Sequence, residues 1–228
     1  MPASPPPSPA PPTRFAVALF PGFQALDVFG PLDILNMLSK QTSSPLSLDI
    51  LSATLDPVWT RTAATGHGTG QAVVPTRTYA DGLGDVEVLL VPGGAGTRDP
   101  ENVREVARFV RAAYPRLRYL LTVCTGSAVV AGTGVLDGRR ATSNKRAWDW
   151  ATAQGPRVNW VRRARWVEDG NVWTSSGISA GIDMMYAFVA DRFGEDVARG
   201  LADAAEYVRN TDPDNDPFAG EVQNGLAK

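Results

Sequence analysis

The strongest chemical signal in the sequence is its single cysteine, Cys124, which stands where strand-forming residues give way to small residues. The segment 118–124 (RYLLTVC) predicts a buried strand, and 125–136 (TGSAVVAGTGVL) predicts a helix. A sharp strand-to-helix turn presents its side chain outward, as the nucleophile elbow of hydrolases does. It also places the sulfur beside unpaired helix N–H groups, which favour the thiolate. Cys124 is therefore a candidate nucleophile, and the alternative is a buried, inert cysteine.

A cysteine nucleophile needs a partner that carries protons, and the sequence offers few candidates. The single histidine, His67, lies in a Gly/Thr-rich segment away from the predicted strand ends, so we expect it in a surface loop. Asp27, which ends the loop after the first predicted strand, is the better candidate. An acid beside a thiol stays protonated through burial and like-charge repulsion, and it can then donate that proton. The alternative is that Asp27 only caps the helix that follows it.

Backbone amides and small residues at other predicted strand ends complete the candidate site. Gly93 and Gly94 end the segment 86–94 and present backbone N–H groups with no side chain in the way. The amides of Gly94 and Thr125 together are candidates to stabilise an oxyanion. The segment 177–183 (GISAGID) predicts either the start of a buried helix or the far wall of the pocket.

Apolar strand segments alternate with helical patterns along the chain, which indicates an α/β fold with a mostly parallel sheet sandwiched between helices. Strands are predicted at 15–20, 46–53, 86–94, 118–124 and 171–177, and helices at 26–38, 100–114, 125–136, 178–194 and 195–210. Ligands bind such sheets outside the carboxyl ends of the strands. We therefore expect one pocket to be shared by the loops 21–27, 93–97, 124–127 and 175–179.

Composition limits the remaining chemistry. One cysteine and one histidine among 228 residues allow neither an internal disulfide nor a Cys or His cluster for a metal. A net charge of -2 gives no electrostatic footprint for nucleic acid or an anionic membrane, and no bilayer-spanning apolar stretch occurs. Phosphate-binding glycine motifs are absent, so no nucleotide cofactor is indicated. The start of the chain lacks the features of a secretory or transit peptide, so we expect a cytoplasmic protein that acts on a small molecule.

The predicted organisation is a single folded domain with two tails. Residues 1–13 are rich in Pro, Ser and Ala and are expected to form a disordered, extended tail. The α/β domain is expected to span 14–210. The remaining 211–228, rich in Asp, Asn and Gly, are expected to wrap the surface and are too few for a helix-turn-helix pair.

Taken in order, these segments resemble the PfpI superfamily, also called class I glutamine amidotransferase-like. The resemblance spans roughly residues 15–210 and rests on LFPGF with LD and GP within 19–31, VPGG at 91–94, VCTGS at 123–127, LDGRRAT at 136–142 and TSSGISAGID at 174–183. It implies a flavodoxin-like fold for the single domain. Within the superfamily the chain is similar to the isonitrile hydratases, in which an aspartate replaces the glutamate found near the cysteine in many relatives. This implies hydration of an isocyanide to an N-substituted formamide, with neither metal nor organic cofactor, in a homodimer.

The resemblance also implies roles for individual residues. The thiolate of Cys124 attacks the isocyanide carbon, while Asp27 protonates that carbon and then activates water. The amides of Thr125 and Gly94 fix the site. The predicted pocket wall comprises Gly93, Ile178, Ser179 and Asn144.

One motif departs from the superfamily pattern. After residues 141–142, relatives commonly continue with Thr-His-Trp, whereas this chain has Ser143, Asn144 and Lys145. Asn144 or Lys145 therefore stands near the place of the missing histidine, and the substrate is expected to differ if this loop lines the pocket. Two further functions stay open. One is a glyoxalase-type activity on 2-oxoaldehydes, against which the missing histidine argues, and the other is a redox-sensing or protective protein whose cysteine is oxidised to a sulfinate.

Overall fold

The computed structural model describes residues 10–62 and 68–220, so His67 and the outer parts of both predicted tails lie outside the described residues. The strands are β1 (Arg14–Ala18), β2 (Ser47–Ser52), β3 (Val58–Trp59), β4 (Ala72–Val73), β5 (Arg77–Thr78), β6 (Val88–Val91), β7 (Tyr119–Thr122), β8 (Arg140–Ala141), β9 (Asn159–Trp160), β10 (Trp166–Asp169) and β11 (Val172–Ser175). The helices are α1 (Ala25–Leu38), α2 (Pro100–Ala113), α3 (Gly126–Ala131), α4 (Trp148–Ala153), α5 (Ala180–Phe193) and α6 (Glu195–Ala204).

A seven-stranded sheet in the order β10-β11-β7-β6-β1-β2-β5 forms the centre of the domain. Every neighbouring pair is parallel except β10 and β11, which are antiparallel. The central strands β6 and β7 are buried along their whole length, as continuous apolar strands in a helix-covered parallel sheet are. The predicted single α/β domain with a mostly parallel sheet is confirmed. Among the described residues, no helix has the length and apolar character needed to cross a bilayer.

Local sequence explains the longer helices. Before α2, the side chain of Asp99 accepts a hydrogen bond from the backbone N–H of Glu101, and Pro100 occupies the first helical position. The buried side chains of α2 follow helical spacing along one face: Val106, Phe109, Val110 and Ala113. Helix α1 continues through Pro31 to Leu38, as the apolar spacing of 26–38 predicts.

Two helices end earlier than the sequence predicts. Helix α3 ends at Ala131 rather than at 136, and turns follow in which Gly134 has a φ of +83°. Helix α6 ends at Ala204 rather than at 210, because Glu206 adopts a left-handed φ of 50°. The chain then leaves the helical path. Most described residues of the predicted C-terminal tail are exposed, as expected, whereas Asp216 is buried. The strand β10 and the helix α4 were not predicted.

Parallel order brings the carboxyl ends of four neighbouring strands to one edge of the sheet. The amide of Gln24, after β1, donates to the carbonyl of Gly93, after β6, at 2.8 Å. The amide of Cys124, after β7, donates to the carbonyl of Ser176, after β11, at 3.1 Å. The loops after β6 and β7 also meet, because Gly94 donates its N–H to the side chain of Thr125 at 3.1 Å. The four predicted loops are therefore neighbours, as expected.

Candidate active site

Cys124 occupies a tight turn between β7 and α3 and has a left-handed φ of 59°, a conformation that non-glycine residues adopt mainly where the surroundings enforce it. Its carbonyl oxygen accepts hydrogen bonds from the hydroxyls of Ser127 at 3.0 Å and Ser143 at 3.1 Å. Its amide is held by Ser176, as described above. The cysteine is 5% exposed. Three contacts thus fix the backbone on which the sulfur is carried.

The sulfur of Cys124 is surrounded by hydrogen-bond donors and by one acid. The side-chain amide of Asn144 donates to it at 3.1 Å, and the backbone N–H groups of Thr125 and Ile178 also face it. Burial nevertheless raises the pKa of the Cys124 thiol to about 12, and the charge of Asp27 adds to this rise. The N–H groups at the turn lower the pKa of the thiol, as the sequence predicts, but burial outweighs the three donors and the net shift is upward. The resting group at neutral pH is a thiol.

Asp27 lies within the first turn of α1 and is completely buried. One carboxyl oxygen accepts a hydrogen bond from the amide of Gly93 at 2.9 Å. The other oxygen, Oδ1, is buried and has no hydrogen-bond partner among the described residues. Burial raises the pKa of Asp27 from 3.8 to about 7, against the opposing effects of the Gly93 amide and the neighbouring Cys124 thiol. The alternative role as a helix cap is wrong, because Gln24 is the N-cap residue and α1 has no side-chain cap.

The two glycines after β6 have different roles. A Cβ atom on Gly93 would lie 2.5 Å from the amide nitrogen of Thr125 and 3.0 Å from the Cβ of Cys124, so only glycine allows this approach. The N–H of Gly94 is directed at the hydroxyl of Thr125, whose oxygen also accepts from Thr97 at 3.1 Å. The oxyanion role of Gly94 stays a prediction, and in this structure its amide is engaged by Thr125.

Asn144 contacts the sulfur directly, which the sequence did not predict beyond a place in the pocket wall. It follows β8, and its side-chain oxygen accepts a hydrogen bond from the amide of Ala147 at 2.9 Å. This bond leaves the amide nitrogen to face Cys124. A Cβ atom on Gly177 would come within 2.5 Å of that nitrogen, so the glycine leaves room for the side chain. The signal in the sequence was the departure from Thr-His-Trp at this position.

Lys145 does not join the pocket, although it was the other residue near the place of the missing histidine. It is 4% exposed, and its ammonium group donates to the hydroxyl of Thr142 at 2.8 Å and to the carbonyls of Ser143 at 3.1 Å and Ala164 at 2.9 Å. Ser179, predicted in the pocket wall, is exposed just before α5, and none of its described hydrogen bonds reaches Cys124. Of the predicted wall residues, Gly93, Ile178 and Asn144 surround the cysteine.

Comparison with known proteins places this chain in a family. Residues 13–191 match the DJ-1/PfpI family. The chain is 32% identical over 190 residues to an isonitrile hydratase from Pseudomonas putida, with 83% of this chain and 76% of the relative covered. It is 39% identical over 84 residues to an HTH-type transcriptional regulator from Rhizobium meliloti, of whose length it covers 25%. A solved THiJ/PfpI family protein from Pseudomonas syringae superposes with a TM-score of 0.69 at 28% identity, over 91% of this chain and 83% of that one. On the family match and the Pseudomonas putida relative together, the chain belongs to the DJ-1/PfpI family.

Proposed function

We propose that this protein is a cysteine-dependent hydratase that converts an isocyanide into an N-substituted formamide. The observation that carries the proposal is the pairing of Cys124 with the completely buried carboxyl of Asp27. The raised pKa of Asp27, about 7, suits a group that must accept and release a proton near neutrality. Similarity to the isonitrile hydratase from Pseudomonas putida supports the substrate class.

The first step joins the thiol to the isocyanide. The terminal carbon of R–N≡C accepts both a proton and a nucleophile. The proton of Cys124 passes to Asp27 and from Asp27 to this carbon, while the sulfur forms a bond to the same carbon. The product is a thioimidate, R–N=CH–S–Cys, which contains every atom of the isocyanide and of the thiol. Because the thiol rests protonated, it supplies the proton that this addition consumes.

The second step consumes water. Asp27 takes a proton from a water molecule as its oxygen adds to the thioimidate carbon, and the substrate nitrogen is protonated. The C–S bond of the resulting R–NH–CH(OH)–S–Cys then breaks, the hydroxyl proton leaves, and R–NH–CHO is released. The sulfur recovers a proton, so the net reaction adds one water. The donors Asn144, Thr125 and Ile178 stabilise negative charge on the sulfur as it attacks and leaves.

The geometry favours this function over the two alternatives. A glyoxalase-type reaction uses a histidine to move protons, and the side chain that contacts the sulfur here is Asn144, an amide that does not titrate. A redox sensor needs an accessible cysteine with a lowered pKa. Cys124 is 5% exposed and its pKa is raised, so it is poorly suited to react with peroxide.

The homodimer implied by the family resemblance is part of the proposal. Leu26 and Phe29, on the same helix as Asp27, are 43% and 44% exposed, and apolar side chains of this size at a surface support association. Sedimentation velocity measures the state directly. A monomer at micromolar concentration would remove this part of the proposal without affecting the chemistry.

Turnover of a panel of small isocyanides tests the function. Loss of the N≡C infrared band with formation of a product one water heavier is expected for wild type and not for the Cys124→Ala variant. Methylglyoxal and hydrogen peroxide, supplied separately, test the glyoxalase and sensor alternatives. Conversion of methylglyoxal with no conversion of any isocyanide would reject the hydratase.

A further inference from the structure

We infer that Lys145 and Asp216 are positioning residues, which hold Asn144 against the sulfur of Cys124. The inference concerns residues that touch neither the sulfur nor the proposed substrate. It rests on the proposed function only where turnover is measured, because the reactivity of the thiol can be followed without any isocyanide.

The ion pair between these residues is buried on both sides. The side chain of Asp216 is 0% exposed and that of Lys145 is 4% exposed, and their nearest charged atoms, Nζ and Oδ2, are 3.4 Å apart. This oxygen of Asp216 has no hydrogen-bond partner among the described residues, so its charge is balanced through the lysine. Removing one partner of a buried ion pair strongly destabilises the folded protein, because the other charge is left buried and unpaired. The pair therefore fixes the C-terminal segment 207–216, which contains Asp216, to the loop that carries Lys145.

The ammonium group holds the backbone next to Asn144. It donates to the hydroxyl of Thr142 and to the carbonyl of Ser143, which precede Asn144 in the chain. The hydroxyl of Ser143 in turn donates to the carbonyl of Cys124 at 3.1 Å. Lys145 itself follows Asn144. The residues on both sides of the asparagine are thus anchored through one buried group.

A second set of contacts ties the same C-terminal segment to the cysteine turn. The carbonyl of Pro213 accepts from the amide of Arg165 at 2.6 Å, and the carbonyl of Arg165 accepts from the amide of Ser176 at 2.8 Å. The carbonyl of Ser176 then accepts from the amide of Cys124. Three hydrogen bonds therefore connect the segment that carries Asp216 to the nucleophile.

The start of this segment is held by Asp183 of α5. One carboxyl oxygen of Asp183 accepts from the hydroxyl of Tyr207 at 2.9 Å and from the amide of Asn210 at 3.0 Å. The other accepts from Arg165 at 2.6 Å. Asp216 is consequently presented to Lys145 by a segment with its own buried anchor, which is what a positioning element requires.

Loss of the ion pair should act on the sulfur through Asn144. The bond from Asn144 lowers the pKa of Cys124 against the larger effect of burial, so a displaced asparagine leaves the thiol harder to ionise. Asp216→Asn keeps the shape of the side chain and removes its charge. We expect iodoacetamide to alkylate Cys124 roughly tenfold more slowly at pH 8, and kcat to fall by a similar factor with KM nearly unchanged.

A double-mutant comparison separates positioning from a general loss of stability. Asn144→Ala alone is expected to slow alkylation, and adding Asp216→Asn should slow it no further. The control is Asp49→Asn, which removes the partly exposed ion pair of Asp49 with Arg77 at the far edge of the sheet. Asp49→Asn should leave both the alkylation rate of Cys124 and kcat unchanged. If Asp216→Asn lowers the alkylation rate by the same factor in the wild-type and in the Asn144→Ala background, the inference is overturned.

A second variant covers the outcome that Asp216→Asn does not fold. Lys145→Met with Asp216→Leu removes both buried charges together, which avoids leaving one unpaired. The inference predicts a folded protein whose Cys124 is alkylated slowly. A folded double variant with the wild-type alkylation rate would overturn it. The two proposals can fail separately. If the wild-type protein turns over no isocyanide but the variants change the alkylation rate as expected, the hydratase is rejected and the positioning role is retained.

Discussion

The side-chain amide of Asn144 donates a hydrogen bond to the sulfur of Cys124 at 3.1 Å. The family resemblance implies a histidine near this position, where this chain has Asn144. An amide stabilises negative charge on the sulfur but carries no titratable proton. In the proposed mechanism, proton transfer therefore falls to Asp27, a buried acid beside the thiol.

Replacing Asp27 with Asn should slow turnover of an isocyanide by a factor of roughly 10² to 10⁴, because proton delivery and water activation are both lost. The hydrogen bond from Gly93 can be kept by the amide oxygen of the new side chain. Steady-state kinetics measures the loss, and circular dichroism checks that the fold is intact. Unimpaired turnover in a folded variant would remove Asp27 from the mechanism.

The same variant should change the pH dependence of stability. The pKa of Asp27 is about 7 in the folded protein against an ordinary value of 3.8, so the folded state favours the protonated acid. The contribution of protonated Asp27 to the free energy of unfolding is therefore fully present below about pH 4 and is lost as the pH rises from about 4 to 7. Asp27→Asn does not titrate and should gain stability over wild type across this range, by up to about 4 kcal/mol.

Urea unfolding of both proteins at pH 4.5, 6 and 8 measures this difference. We expect the difference between the two unfolding free energies to grow from pH 4.5 to 8. A gap that is constant with pH would mean that Asp27 has the same proton affinity in the folded and unfolded chains.

Two substitutions of Asn144 should rank the reactivity of Cys124. Asn144→Ala removes a donor, which raises the pKa of the thiol, and Asn144→Asp adds a negative charge beside it, which raises that pKa further. Alkylation by iodoacetamide at pH 8 should therefore be fastest for wild type, slower for Ala and slowest for Asp. Faster alkylation of the Asp variant than of the Ala variant would show that position 144 does not act on the sulfur electrostatically.

The close approach at Gly93 predicts a sharp contrast between two glycines. Gly93→Ala places a Cβ atom 2.5 Å from the amide nitrogen of Thr125, so the turn must shift and turnover should be lost. Gly200→Ala is the matched control, because its Cβ meets nothing within 4 Å on α6. This control should stabilise the protein by roughly 0.5–1 kcal/mol and leave kcat unchanged. Thermal unfolding and kinetics of both variants check the pair, and an active Gly93→Ala would contradict the geometry.

Most of the frame of the site could be predicted from the sequence. Continuous apolar strands followed by small or acidic residues located Cys124, Asp27 and Gly93, because the carboxyl ends of parallel strands meet at one edge. These patterns involve residues that are close together in the chain, so they can be recognised without knowledge of the fold.

The properties that depend on distant packing could not be predicted. The pKa of Cys124 is set by burial beneath residues from four loops, and a helix N-terminus alone suggested the opposite direction. The pairing of Lys145 with Asp216 joins two segments that the sequence treats as unrelated, one of them predicted to lie on the surface. The end of α6 at Ala204 could not be predicted from the sequence, because apolar residues at helical spacing continue beyond Ala204.

In the proposed mechanism, Cys124 forms a covalent thioimidate that water then removes. Rapid quenching during turnover, followed by intact-mass measurement, tests it most directly. We expect a transient gain equal to the whole mass of the isocyanide, located on Cys124 and absent from Cys124→Ala. This adduct should clear at the rate at which formamide forms. An adduct that never clears, or formamide produced by Cys124→Ala at the wild-type rate, would contradict it.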